Sequence, residues 1–528
     1  MRRPSEETAR GIRAVGIAVC LAALAASPPI AGRLLSPDGS LGESTRLALH
    51  GAQAAAALLA LVLFARAASV ARLLGRLQES LSEGRDLRII LVLGIFLRVL
   101  VQAFLDPSNN DPHWSYVRFL VEHHRPPFAD EVLLGFQPPL YYLLAAPLAA
   151  IGSMKLTQGL SLLLSLANLL LIARWVRDTR LFESAAARRH ALLLAAILPQ
   201  FLLFSGFVSN DALAYPLGTL ALVLALRYVE APSLRAAGLL GLVAGLGLVT
   251  KGTLIGNVPV LVLAILAGTW TAGRAWRASV APLALFGVLT VLVGGYKFVE
   301  NQIHFGTPVV GNDILHQDWV HEQEGTWQGP SSLLDVNVLK LARNPSFSES
   351  TRHSIPLLLY GTFWSAYIPE SNWNRTRAHP FKILIPLLDL AGVLPTLLIL
   401  VGLAAKALAA RVLLRRDPPP ARDTRIARAQ DLLLGCAIAA ATLLVLKWGL
   451  KHDAWSFFQA RLVFPAFLSI AAGLGFGVDL VRRGGPVARA LVGAGLLLVY
   501  LLIAAYFAVE IGSQIAHPTH WPPLPATS

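Results

Sequence analysis

The chain reads as an all-α, polytopic membrane protein, a bundle of about 13 transmembrane helices whose outside loops form a cleft. Three observations carry that reading. Of 528 residues, 55% are hydrophobic and only 14% charged, and the mean hydropathy is +0.59, far from the balance of soluble domains. Apolar runs near the length needed to cross a hydrocarbon core of ~30 Å recur from end to end. The basic residues gather in short gaps between those runs, as membrane topology demands. That distribution argues against a nucleic-acid partner despite a net charge of +14. The two cysteines, Cys20 and Cys436, both lie within apolar runs, so neither a disulfide framework nor a zinc spacing is present.

The first run, about 11–34, follows Arg2 and Arg3. It fits either an uncleaved span, the preferred reading, or a signal peptide ending near Ala25–Ser27. A second run, about 47–63, precedes Arg66, Arg72, Arg76, Arg85 and Arg88, which mark 66–88 as inside. Residues 1–86 are thus two additional helices and a basic linker. A third run, about 89–105, carries the chain outward to a polar loop over 106–138.

Two further arginine clusters fix the remaining topology. Arg174, Arg177, Arg180, Arg188 and Arg189 mark one inside loop; Arg411, Arg415, Arg416, Arg422, Arg425 and Arg428 mark another. Reaching the first from outside takes an odd number of crossings. The short segment 138–152 therefore reads as a partial or re-entrant helix and 160–172 as the crossing. Spans are expected near 191–208, 212–229, 236–250, 253–270, 278–296, 382–408, 430–449, 462–481 and 488–510. The segment 297–381 becomes a second outside loop, with its apolar stretch 355–368 at the interface, and 511–528 an outside tail.

Polar constellations fall on the outside face. Asp111, His113, Asp130 and Glu131 lie in the first loop, Asp211 at a tight turn, and Lys251 and Arg461 at span ends. Each has a plainer reading: a solvated loop acid, an N-terminal helix cap for Asp211, or a snorkelling cation for Lys251 and Arg461. His316, Asp318, His321 and Glu322 match no specific metal template; a solvated loop is the better account. No metal or other cofactor is assigned, and a divalent cation stays open. An acid, two cations and a helix start facing one cleft suit transfer from a lipid phosphate. The leaving phosphate needs positive charge and the acceptor needs a carboxylate to take its proton.

These pieces, in order, resemble the GT-C superfamily of integral-membrane glycosyltransferases. They look closest to bacterial relatives of protein O-mannosyltransferases and aminoarabinose transferases. The likeness rests on DPHWSY (111–116), FQPPLYYLL (136–144), VSNDAL (208–213), VTKGTL (249–254), HFGTPVVGND (304–313) and QARLVFPAF (459–467), and spans about 87–510. The resemblance implies Asp111 as catalytic base, with His113 and Asp211 beside it. It implies Asp130, Glu131, Gln137, Tyr141, Lys251 and Arg461 as substrate-binding residues, Lys251 and Arg461 facing the lipid phosphate. It also implies a polyprenyl-phosphate-linked sugar donor, inversion at the anomeric carbon, and a lipid, glycan or protein acceptor. The expected location is a bacterial cytoplasmic (inner) membrane, with the site facing the periplasm or exterior. Pro112 departs from the pattern, since relatives often carry a second acid there. The rival readings are a polysaccharide ligase or polymerase using a lipid pyrophosphate, and a lipid or solute transporter. The transporter would predict inverted repeats and ionisable groups at mid-depth, where only Asp389 and Arg98 come near.

Overall fold

A computed structural model describes residues 84–104, 113–151, 154–315, 331–343, 354–365, 381–414, 421–452 and 459–516. The two additional N-terminal spans, Asp111 and the His316–Glu322 group lie outside the described residues. Every regular element among the described residues is helical, and nine helices are long and apolar enough to cross a membrane.

The first, α1 (Arg85–Phe104), runs about 30 Å at 1.5 Å per residue. Its buried residues Leu91, Gly94, Arg98 and Val101 recur at helical spacing, while Ile89, Val92, Phe96 and Val99 stay exposed on the other face, as a helix between protein and lipid requires. After a short amphipathic helix, α2 (His113–His123), the chain re-enters apolar sequence as α3 (Leu140–Ala150). With 11 residues it reaches only about 16 Å, too short to cross and in keeping with a partial helix. The crossing is α4 (Met154–Asp178), which starts beside the end of α1, where Lys155 Nζ donates to the Gln102 carbonyl at 3.0 Å.

One span differs from expectation. Instead of a continuous helix over 191–208, the chain forms α5 (Ala185–Ile197), breaks at Leu198 and continues as α6 (Pro199–Leu203). Pro199 has no N–H for the Ala195 carbonyl four residues back. Arg98 fills the gap, donating to the carbonyls of Ala195 at 2.9 Å and Ala196 at 3.1 Å. It also donates to Gly94 O at 3.0 Å and Ser165 Oγ at 2.9 Å. A cation at a helix C-terminus is favourably placed, so this mid-depth arginine has a structural task.

The next elements follow the expected runs closely: α7 (Asp211–Glu230), α8 (Leu234–Leu248), a 3-10 turn into α9 (Asn257–Thr271), and α10 (Val280–Gly294). Helix α11 (Tyr296–Phe305) ends on Gly306, whose φ of 68° suits a left-handed helix terminus. The apolar stretch expected at the interface is α12 (Ile355–Trp364), and it is packed into the bundle. Thr362 Oγ1 accepts from Ala460 N at 2.8 Å, and Trp364 Nε1 donates to Thr396 Oγ1 at 2.8 Å. Beneath it the expected span 382–408 divides into α13 (Phe381–Ala391) and α14 (Val393–Leu414). The intervening Gly392 explains the seat, because a Cβ there would lie 2.8 Å from the Trp364 ring.

Three long elements complete the bundle: α15 (Arg422–His452), α16 (Phe467–Arg482), entered through a 3-10 turn, and α17 (Pro486–Ala516), which runs past the expected end at 510. Helix α16 is the central post. It meets α14 backbone to backbone, since a Cβ on Gly477 would lie 2.2 Å from the Leu398 carbonyl. Such small-residue seams let helices associate where apolar burial gives no preference over lipid.

Contacts between helix ends fix the alternation. One end holds Arg189–Asp86 at 3.1 Å, Ser184 Oγ to Asp479 Oδ1 at 2.6 Å, and Gln430 Nε2 to Glu230 Oε1 at 2.8 Å. The opposite end gathers residues 113, 140, 209–211, 249–251 and 460.

Candidate active site

At that second end, four helix starts meet. Leu140 N donates to Val249 O at 2.9 Å, tying the Pro138–Pro139 entry of α3 to the turn before α9. Asn210 then joins the same two segments, its Nδ2 lying 3.1 Å from Gln137 Oε1 and 3.3 Å from the Thr250 carbonyl. The frame holds Asp211 and Lys251, 1% and 7% exposed, with Lys251 Nζ 2.6 Å from Asp211 Oδ1.

This geometry decides between the readings left open for these two residues. The N-cap position of α7 is Asn210, which makes no side-chain cap bond; Asp211 is the first helical residue and directs its carboxylate to Lys251 and Ser209. Lys251 is not snorkelling, because its ammonium is buried on a carboxylate. A buried pair of this kind is costly to assemble and costly to break.

His113 extends the pair. Its Nδ1 lies 2.8 Å from Tyr142 Oη and its Nε2 lies 3.1 Å from Ser209 Oγ. Ser209 Oγ in turn lies 3.4 Å from Asp211 Oδ2. Tyr142 is held by stacking on Tyr116, with ring centroids 3.9 Å apart. Tyr141 pairs with Ser161 Oγ at 2.8 Å and accepts from the Ser209 amide. A continuous buried chain therefore runs Tyr142–His113–Ser209–Asp211–Lys251.

The other singled-out residues sit elsewhere. Asp130 is exposed. Glu131 is clamped by Arg125, at 2.7 and 2.5 Å, and by the Phe128 amide at 2.7 Å. The Arg125 bond, with the Phe128 amide adding to it, holds the Glu131 carboxyl below its ordinary pKa. Arg461 lies in the 3-10 turn before α16, its guanidinium 5.9 Å from the Phe204 ring centroid. Among the described residues, no group of three or more His, Cys, Asp or Glu side chains is placed to hold a metal.

Sequence reading passed over Ser209, Tyr142 and Lys297. Ser209 and Tyr142 each stood beside a residue that was singled out, in SND and YY, and only the fold gives them a partner. Lys297 is 3% exposed. It pairs with Glu300 and donates to the Pro127 carbonyl at 3.1 Å, which fastens α11 to the first loop. Burial pulls its pKa below the ordinary lysine value against the pull of Glu300. The i,i+3 spacing in YKFVENQ was the available signal.

Fold and site together define a multi-pass helical membrane protein with a buried ionic centre at one end of its bundle. Residues 137–294 match the family model described as dolichyl-phosphate-mannose-protein mannosyltransferase, which bears out the resemblance drawn from the motifs. The matched stretch contains Gln137, Tyr141, Asp211 and Lys251. No curated protein matches the chain. Among solved structures, the apo oligosaccharyltransferase of Archaeoglobus fulgidus is similar at 16% identity and a TM-score of 0.41, over 81% of this chain and 55% of that one. The same enzyme with an inhibitory peptide and a dolichol-phosphate gives 16% identity and 0.43, over 81% and 55%. ArnT from Cupriavidus metallidurans bound to undecaprenyl phosphate gives 14% identity and 0.33, over 75% and 77%. The chain thus spans about half the length of the archaeal enzyme.

Proposed function

We propose that the protein is a glycosyltransferase that moves a sugar from a polyprenyl-phosphate donor to an acceptor on the outer face of the membrane. The acceptor hydroxyl or amine attacks the anomeric carbon from the face opposite the phosphate, inverting it. The bond from that carbon to the phosphate oxygen breaks, polyprenyl phosphate leaves, and the acceptor proton passes to Asp111. Lys251 contributes charge toward the departing phosphate, and Arg461 approaches the same group from the α16 side. Residues 87–510 form the catalytic unit.

The observation that carries this reading is the buried Asp211–Lys251 pair, at the junction of four helix starts and inside the stretch matched by a family named for dolichyl-phosphate-mannose. A buried ammonium placed among helix N-termini favours an anion nearby. The family name also favours a lipid monophosphate donor over a pyrophosphate.

The test uses purified protein in lipid bilayers with a panel of polyprenyl-phosphate sugars. Release of polyprenyl phosphate by wild type but not by Asp111→Asn is the expected result. Release that persists unchanged in Asp111→Asn would remove that residue from the chemistry. No release with any donor and acceptor tried would remove the donor class.

A further inference from the structure

We propose that Ser209 is the positioning residue of this site. It fixes His113 in one neutral tautomer and aims Asp211 at Lys251, so that His113 acts through Ser209. The proposal rests on the functional reading above for its catalytic consequence and on geometry alone for its structural content.

A serine hydroxyl has one proton to donate and two lone pairs to accept with. At Ser209 all three are assigned. The Asp211 amide donates to Ser209 Oγ at 3.2 Å, which uses one lone pair. Asp211 Oδ2 lies 3.4 Å away; a carboxylate facing a lysine ammonium only accepts, so the hydroxyl proton points there. One lone pair remains, and the group in reach is His113 Nε2 at 3.1 Å. That nitrogen must therefore carry the proton. In the neutral imidazole of the proposal, His113 Nδ1 is then the acceptor, and the Tyr142 hydroxyl at 2.8 Å donates to it.

Every dipole in the chain thus points the same way, from Tyr142 toward the Asp211 carboxylate. The order matters because no member is exposed: His113 is 4% accessible and Ser209 is fully buried. Water cannot replace a lost bond without entering the core. With Ser209 removed, the imidazole loses the acceptor that sets its tautomer. Asp211 loses its second partner and can swing about the Lys251 contact. Since both imidazole nitrogens already bond protein groups, His113 serves as a support for the ion pair.

The experiment is nitrogen-15 NMR of histidine-labelled, full-length protein in bilayers, with the His113 signals identified by their loss in His113→Asn. Wild type is expected to show a protonated Nε2 and an unprotonated Nδ1. Ser209→Ala should change that pattern, and Ser209→Thr, which keeps the hydroxyl, should retain it. Alongside, Ser209→Ala should lower kcat/KM for the lipid-linked donor by about 10- to 100-fold, the loss expected for a hydrogen bond to a charged group, and Ser209→Thr should recover most of it. A protonated Nδ1 in wild type, or an unchanged pattern in Ser209→Ala, would overturn the proposal. If Ser209→Ala fails to fold, the wild-type and Ser209→Thr spectra still decide it. If wild type transfers no sugar, the functional reading fails while the tautomer measurement stands.

Discussion

Lys251 and Asp211 lie 40 residues apart in sequence and meet because α7 and α8 form an antiparallel pair whose open end brings the start of one to the end of the other. Removing either partner breaks a charge pair buried at 8% and 1% side-chain exposure. Asp211→Asn or Lys251→Met alone is therefore expected to cost about 3–5 kcal/mol of stability. The double replacement Asp211→Asn with Lys251→Met should cost much less than their sum. Unfolding in detergent, run as a double-mutant cycle, measures the difference. A double variant as damaged as the sum would mean that the two do not pair.

Arg98 closes the C-terminal end of α5, donating to the Ala195 carbonyl that Pro199 leaves without a donor and to the Ala196 carbonyl beside it. Arg98→Leu keeps the apolar contact but strands both carbonyls, at about 1–3 kcal/mol each. Arg98→Lys has too few donors in the wrong geometry and should rescue only partly. Thermal unfolding checks both, and an Arg98→Leu variant as stable as wild type would refute the capping role.

The Glu131–Arg125 clamp gives the first loop an acid-sensitive joint. Arg125 stays charged throughout, and Glu131 has a folded pKa below its unfolded value of 4.5. Its stabilisation is therefore complete above that unfolded value and is lost as pH falls through the folded one. The effect is small, since the two side chains are 45% and 28% exposed and solvent screens them. Amide hydrogen exchange over 124–137, corrected for intrinsic rate, should quicken on acidification in wild type and lose this step in Glu131→Gln. Identical profiles would count against the clamp.

The alternation of helix ends predicts the accessibility of single cysteines in intact cells. Positions in 106–135 and 312–350 should react with a membrane-impermeant reagent from outside, and positions in 175–189 and 411–428 should not. The reverse pattern would place the ionic centre on the cytoplasmic side and remove a polyprenyl-phosphate donor presented from outside.

Much of this architecture was legible because lipid is an unforgiving solvent. Backbone groups must pair within a segment, so span length and arginine position alone locate most helices. The short reach of α3 and the helices at 211–230 and 234–248 follow from those rules. The break at Leu198 did not, although Pro199 was in plain view, because the partner that satisfies the freed carbonyl, Arg98, lies 97 residues earlier in the chain. The site was legible by half. Asp211, Lys251, His113, Gln137 and Tyr141 lie at one end of the bundle, because each sits near a helix start where the chain turns. Ser209 and Tyr142 are ordinary in sequence and acquire a role only through contacts across 96 and 29 residues to His113. Glu131 went the other way: its partner Arg125, six residues off, makes it part of a loop clamp.

Helix α12 is a keystone for the segment between α11 and α13. Its indole rests on Gly392 and its threonine receives the Ala460 amide, so it is gripped by two parts of the chain that follow it. A chain divided between residues 343 and 354 would consign α12 to the second fragment, together with these two anchors, and separate it from its N-cap bond to Asp335. The first fragment would keep the whole Tyr142–Lys251 relay. The two pieces, made separately in one cell, would have to find each other within the bilayer and rebuild a seam that includes Ser354 Oγ on the Asp335 carbonyl.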